Sequence, residues 1–229
     1  MRSHAMKRFL AFCIVLFAAS ALWAQAQTAV LKDFSGKVEV MAPGGAWKPA
    51  VKGMTLAKNS SISTGFKSLA VLSLGSSTLT VKPLTKLTLE ELVKAEGGDI
   101  VKLFLNTGRV SAQVSAPAGG ATDFSVKSPT ATASVRGTWF DFDGANLAVN
   151  EGTVVFFGSN GQAVAVSGGG SSSLGADGSA LTPLESAYEE LKPLLPPGMD
   201  ASSFASLASV SGDFLAALAA AGVTITVSW

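Results

Sequence analysis

Between Gly36 and Leu174 the chain is written in short alternations of apolar and polar residues, cut every few positions by glycine, proline or asparagine. That pattern restricts it to a β architecture, because a side-chain period of two fits a half-buried strand and not a helix. Lys37 to Met41 alternates and stops at Pro43-Gly44-Gly45. Leu69 to Leu74 is an apolar run of strand length between Gly65 and Gly75, which predicts a central strand. Thr78 to Val81 and Thr85 to Leu92 alternate on either side of Pro83, and a proline there predicts a bend. Ile100 to Leu105, Arg109 to Val114, Asp123 to Lys127, Ala131 to Val135, Thr153 to Phe157 and Gln162 to Ser167 continue the series. Roughly a dozen close, even strands predict a sandwich, barrel or solenoid. Gly36, Gly65, Gly108 and Gly152 open strands at intervals too irregular for a clear repeat.

One stretch breaks the period. From Ala131 to Val135 the apolar residues are odd-numbered, whereas Phe140 and Phe142 are even-numbered. A strand cannot bury both sets on one face, so an extra residue is expected near Gly137, where a bulge would reset the phase. The alternative is a strand covered on both faces. Trp47 and Trp139 are expected in the core, the usual place of aromatic side chains in an all-β domain.

At the N-terminus, Met6-Lys7-Arg8, an apolar run from Phe9 to Leu22 and the small residues of Ala24-Gln25-Ala26 read as a secretory signal peptide, residues 1–26. Its apolar run is too short to span a bilayer. The single histidine, His4, and the single cysteine, Cys13, both fall inside it. The exported chain would then lack a thiol nucleophile, a Ser-His-Asp arrangement and any zinc site built on imidazole or thiolate. No catalytic, cofactor-binding or metal-ligating residues are assigned, and no cofactor is expected. Asp141 to Asn146 has the look of a calcium loop, but the Asp143-Gly144 pair explains it as a hairpin turn. Gly168-Gly169-Gly170 lacks the lysine and helix of a phosphate cradle.

Charge is unevenly spread. Residues 27–136 hold 13 basic against 7 acidic side chains, and residues 137–229 hold one against 9. The asymmetry suits either a basic surface awaiting an acidic partner or two parts of the molecule facing each other. The lysines are singly spaced without interleaved aromatics, so nucleic acid is not an expected partner. Arg136 could contact a carboxylate-bearing partner. Internal pairing with Asp141, Glu151 or a backbone carbonyl is the favoured expectation, since buried arginines are normally paired.

From Pro183 the texture changes. Leu184 to Leu191 predicts a short helix stopped by Pro193, and Asp200 or Ser202 could cap a second helix running to Ala221. Val223 to Trp229 alternates to the last residue and reads as a strand in need of a sheet edge.

Val135-Arg136-Gly137-Thr138 followed by two aromatics, then Val149-Asn150-Glu151-Gly152-Thr153-Val154, resembles the paired signatures of the FecR domain. Gly36-Lys37-Val38, Thr64-Gly65, Thr78 to Leu89 and Leu105 to Arg109 are similar to the pattern upstream of them, so the likeness covers about residues 30–180. The resemblance implies an all-β, twisted solenoid-like or sandwich-like domain outside the cytoplasm. In the family's namesake it is the periplasmic sensor of a transmembrane sigma-factor regulator. Few residues precede the apolar run here, and Leu74-Gly75-Ser76 lacks the family's usual acid before Gly-Ser. We therefore expect a free-standing exported type.

The expected organisation is a signal peptide (1–26), a FecR-like β domain (27–180) and a helix-strand extension (181–229). The expected function is a non-enzymatic binding, sensing or scaffolding module in the periplasm or at the cell surface. Its partner would be another envelope protein or a glycan, with membrane contact and oligomeric state left open. Val135, Arg136, Gly137, Thr138, Glu151 and Gly152 are the signature residues, and Arg136 and Trp139 the candidate partner contacts. The alternatives are an outer-membrane β-structure anchored through the aromatic-ended last strand, or part of an anti-sigma-like envelope signalling system.

Overall fold

A computed structural model of the chain describes residues 25–95, 98–117 and 120–210. The expected signal peptide up to Ala24, the second helix beyond Val210 and the strand Val223 to Trp229 lie outside them.

The strands are β1 (Gln25–Ala26), β2 (Ala29–Ser35), β3 (Val38–Met41), β4 (Trp47–Pro49), β5 (Thr55–Leu56), β6 (Ser61–Thr64), β7 (Leu69–Leu74), β8 (Ser77–Val81) and β9 (Lys86–Ala95). They continue as β10 (Gly98–Thr107), β11 (Val110–Val114), β12 (Ala121–Lys127), β13 (Ala131–Val135), β14 (Thr138–Phe142), β15 (Asn146–Gly158), β16 (Ala163–Ser167) and β17 (Ser171–Ser173). Two layers result. The first runs β4-β3-β6-β9-β10-β12-β13-β15-β16, with β1 added beside β9. The second runs β5-β2-β7-β8-β11-β14-β15-β17. Every pairing is antiparallel except β10 with β12. The long β15 belongs to both layers and closes the ladder into a flattened barrel. This is the sandwich-like end of the expectation, and Leu69–Leu74 lies inside its sheet as predicted.

The core lies between the layers, where alternate residues of each strand meet. In β11, Val110, Ala112 and Val114 face inward, and in β14 Thr138, Phe140 and Phe142 do. Phe140 stands edge-on to Phe124 at 6.3 Å and Phe142 edge-on to Phe156 at 6.1 Å. Burying each such side chain contributes about 1.5–3 kcal/mol.

The chain changes layer at short connections, and these explain the irregular glycines. Gly108 links β10 in the first layer to β11 in the second. Its φ is +91°, and a Cβ there would run into Thr85, whose hydroxyl donates to the Arg109 carbonyl. Proline 83 marks the bend between β8 and β9, also a change of layer.

The phase break at Gly137 has the same origin. No bulge joins Ala131–Val135 to Thr138–Phe142. Arg136 and Gly137 form a two-residue bend that carries the chain from β13 in the first layer to β14 in the second. Opposite this bend, β15 makes the same crossing in mid-strand. Leu147 and Val149 are buried before it, and Val154 and Phe156 after it. Gly152 turns the corner with φ +83°, and a Cβ on it would lie 2.8 Å from the Gly137 carbonyl oxygen. The Thr138 hydroxyl donates to the Thr153 carbonyl at 3.1 Å and ties the two crossings together.

Beyond the sheets, the helix Pro183–Leu191 begins one residue earlier than expected. Thr182 caps it, and Glu185 reaches back to the Thr182 amide. Ser186 anchors it to the second layer by accepting from the Ser173 amide at 2.9 Å. The helix Ala201–Val210 follows, with Phe204 buried against Tyr188 at 5.6 Å between ring centroids. Asp200 caps this helix. Its carboxyl is held down at about 2, chiefly by the Ser203 amide and then by the Ser202 hydroxyl.

Candidate functional site

Strand periodicity decides which signature residues are available to a partner. Thr138, Phe140 and Phe142 point into the core, so Trp139 and Asp141 point outward from the second layer. Trp139 is 47% exposed, against the expectation that it would be core. Its indole Nε1 donates to the Ser111 hydroxyl at 3.4 Å, and its cross-strand neighbours are Gln113 and Glu151. Trp47 is also outward, at 36% exposed, beneath the Lys86 ammonium at 5.6 Å from its ring. Trp139 follows the phase of its strand, whereas Trp47 sits in a three-residue strand that is exposed throughout, and both depart from the general habit of aromatics.

A true bulge exists, but in the partner strand. Trp139 pairs with Glu151 and Phe140 with Val149, which leaves Asn150 as the extra residue of β15. The Asn150 side chain is exposed and donates from Nδ2 to Asp141 Oδ2 at 3.1 Å. A bulge commonly re-aims a side chain in this way. Here it adds an amide to the outer face beside Trp139.

Past Asp141 the face descends into a cleft of about 590 Å³. Its floor is strand β15 with Asn146 and Asn150. One wall is the helix Pro183–Leu191, with Glu189 and Glu190, and another is the Gly169-Gly170 turn. Arg109 enters from the far side, with Nη2 3.6 Å from Asp143 Oδ2. Asp143 also accepts from the Ala145 and Asn146 amides at 3.1 and 2.8 Å, which makes it the hairpin residue expected of Asp143-Gly144. Among the described residues no group of three or more His, Cys, Asp or Glu is placed to hold a metal ion.

The remaining predicted positions separate into two groups. Val135 and Thr138 are buried, and Gly137 and Gly152 are in close approach at the layer crossing, so these four shape the backbone. Arg136 and Glu151 are exposed. Among the described residues Arg136 makes no ion pair, and internal pairing with Asp141 or Glu151 is not formed. The bend holds Arg136 outside the core, so there is no buried charge to neutralise. Asp141 takes its hydrogen bond from Asn150 instead. Sequence reasoning missed Asn150, Arg109, Glu189 and Glu190. The approach of the helix to β17 is a tertiary contact with no sequence period to announce it.

The model of the family described as FecR protein matches residues 60–155, a span that includes the crossing at Gly137 and Gly152 and the outward Trp139. Residues 60–155 form a FecR domain. It runs from the start of β6 into the second half of β15, narrower than the expected 30–180. Strands before it pair with strands inside it, β2 with β7 and β3 with β6, and β16 pairs with β15 at its other end. No curated protein matches the chain. Two crystal structures of a candidate anti-sigma factor from Parabacteroides distasonis, at 1.65 and 2.50 Å resolution, align with it at 16% identity and TM-scores of 0.44 and 0.43. The alignment covers 53% of this chain and 57% of that one, so the chain spans little more than half the length of that protein.

Proposed function

We propose that this FecR-domain protein is exported and acts in envelope signalling as a non-enzymatic binding module. It engages a second envelope component through the outward face of its second layer, with Trp139 as the anchor and Arg136 beside it at the layer crossing. The observation that carries the reading is the exposed indole of Trp139 among the polar side chains of Ser111, Gln113 and Asp141, next to a large cleft. Tryptophan is enriched among the residues that dominate binding energy, and a strand fixes its position at little entropic cost. The FecR domain supports a signalling role at the envelope. The basic start, apolar run and Ala24-Gln25-Ala26 support export to the periplasm or cell surface. Imidazole or thiol catalysis is not proposed, because the only His and Cys, His4 and Cys13, lie in the expected leader.

The test is a photo-crosslinking amino acid placed at position 139 and, separately, at the exposed Lys127 on the other layer, followed by cell fractionation. Adducts from position 139 in an osmotic-shock or envelope fraction, absent from position 127, are the expected result. Equal labelling from both positions, or recovery of the protein in the cytoplasm with its leader intact, would overturn the reading.

A further inference from the structure

The cleft beside Trp139 also defines the chemistry of an occupant. We propose that it is a glycan site, selective for sugar chains that are neutral or carry amino groups. This deepens the reading above and rests on it, since it takes the Trp139 face as the binding face. Three observations carry it.

The first is the pairing of an open indole with planar polar groups. A pyranose ring offers a C–H face that packs on an indole and an equatorial rim of hydroxyls that both donate and accept. The Trp139 ring is 47% exposed, and Gln113, Asn150 and Asp141 surround it on the same face. Amides supply both donor and acceptor, and a carboxylate accepts twice, so this set matches vicinal hydroxyls. The Asn150-Asp141 hydrogen bond, created by the bulge, holds two of these groups in fixed relation before any ligand arrives.

The second is size and shape. The face continues from Trp139 past Asp141 into a cleft of about 590 Å³, within the range of small-ligand sites. A chain of a few sugar units could lie with one ring on the indole and the next inside. The floor and walls offer Asn146, the Gly169-Gly170 turn and the helix residues Glu189 and Glu190.

The third is charge. Asp141, Asp143, Glu189 and Glu190 line the cleft, and Glu151 faces Trp139 from the neighbouring strand. The one cation of the lining, Arg109, already stands against Asp143, and Lys192 pairs with Glu189. Among the described residues Asp141, Glu190 and Glu151 are then the carboxylates of this set with no ion pair, against an exposed Arg136 outside the lining at the layer crossing. Such a field repels uronate, sulfate or phosphate groups and attracts ammonium groups. Anionic glycans are therefore disfavoured, and glucosamine-type units are favoured over their acetylated forms.

The experiment is isothermal titration of the purified full chain with three tetrasaccharides: β-1,4-linked glucosamine, its N-acetylated form and galacturonate. We expect the glucosamine tetramer to bind tightest, the acetylated one next, and galacturonate at least about tenfold more weakly. Trp139→Ala should weaken glucosamine binding at least tenfold and Trp139→Phe should restore most of it, while Asn150→Ala should cost several-fold. Circular dichroism of each variant confirms the fold. The proposal is overturned by no heat from either glucosamine or N-acetylglucosamine tetramer up to about 5 mM, or by binding unchanged in Trp139→Ala. Tightest binding by galacturonate would reverse the charge argument and also overturn it. Crosslinking of a protein partner from position 139 alongside failed titrations would retain the binding face and remove the glycan, so the two readings fail separately.

Discussion

Gly137 and Trp139 are two residues apart in one signature, and they serve opposite ends of the molecule's economy. Gly137 lends its carbonyl to the place where two strands cross between layers: a Cβ on Gly152 would lie 2.8 Å from that oxygen, whereas one on Gly137 itself would meet nothing nearer than 4.0 Å. Trp139 stands on the outer face with nearly half its surface open, beside a cleft. The crossing is shaped by backbone, the face by side chains. The difference teaches that a compact sequence signature can be mostly architecture and still present a binding residue, because strand periodicity turns successive side chains to opposite sides.

Substitutions on the two sides should behave accordingly. Gly152→Val is expected to cost the most, about 2–4 kcal/mol, since it forces a branched side chain into positive φ and against the Gly137 carbonyl. Urea denaturation would measure it, and a loss below about 0.5 kcal/mol would mean that the corner is looser than its geometry. Thr138→Val keeps the shape but leaves the Thr153 carbonyl without its donor, which should cost about 1 kcal/mol. A smaller loss, about 0.5 kcal/mol or less, is expected for Arg109→Gln, because its partner Asp143 is 3.6 Å away and both side chains are partly exposed. A large loss there would place the cleft wall among the structural elements. Arg136→Ala should change stability least, within about 0.5 kcal/mol, because the side chain is exposed and forms no ion pair among the described residues. A cost above 1.5 kcal/mol for Arg136→Ala, a figure typical of a buried charged hydrogen bond, would restore the internal pairing.

Much of the fold is legible in local pattern. Leu69 to Leu74 has the composition of a strand inside a sheet, Pro83 marks a bend, and Thr182-Pro183-Leu184-Glu185 contains the capping box that starts the helix. The phase break near Gly137 is legible too, but its cause is not. One residue too many in a strand and a crossing between layers leave the same trace, and only the identity of the paired strands separates them. The bulge that does occur, at Asn150, is a mismatch between two strands; the shift within β15 from Leu147 and Val149 to Val154 and Phe156 does not separate it from the crossing at Gly152. For Trp139 the sequence held the answer. Burial of Phe140 and Phe142 forces the residue between Thr138 and Phe140 outward, and the general habit of aromatics was the weaker argument. The cleft was beyond reach, since its wall is a helix brought to β17 by the hydrogen bond of Ser186 to the Ser173 amide.

The division of labour within the signature is tested most directly by the urea midpoint of Trp139→Ala. An indole that serves the outer face should cost no more than about 1 kcal/mol, with the denaturant slope unchanged. A loss of about 3 kcal/mol or more, the scale of emptying a core aromatic site, would make Trp139 part of the architecture and contradict the account.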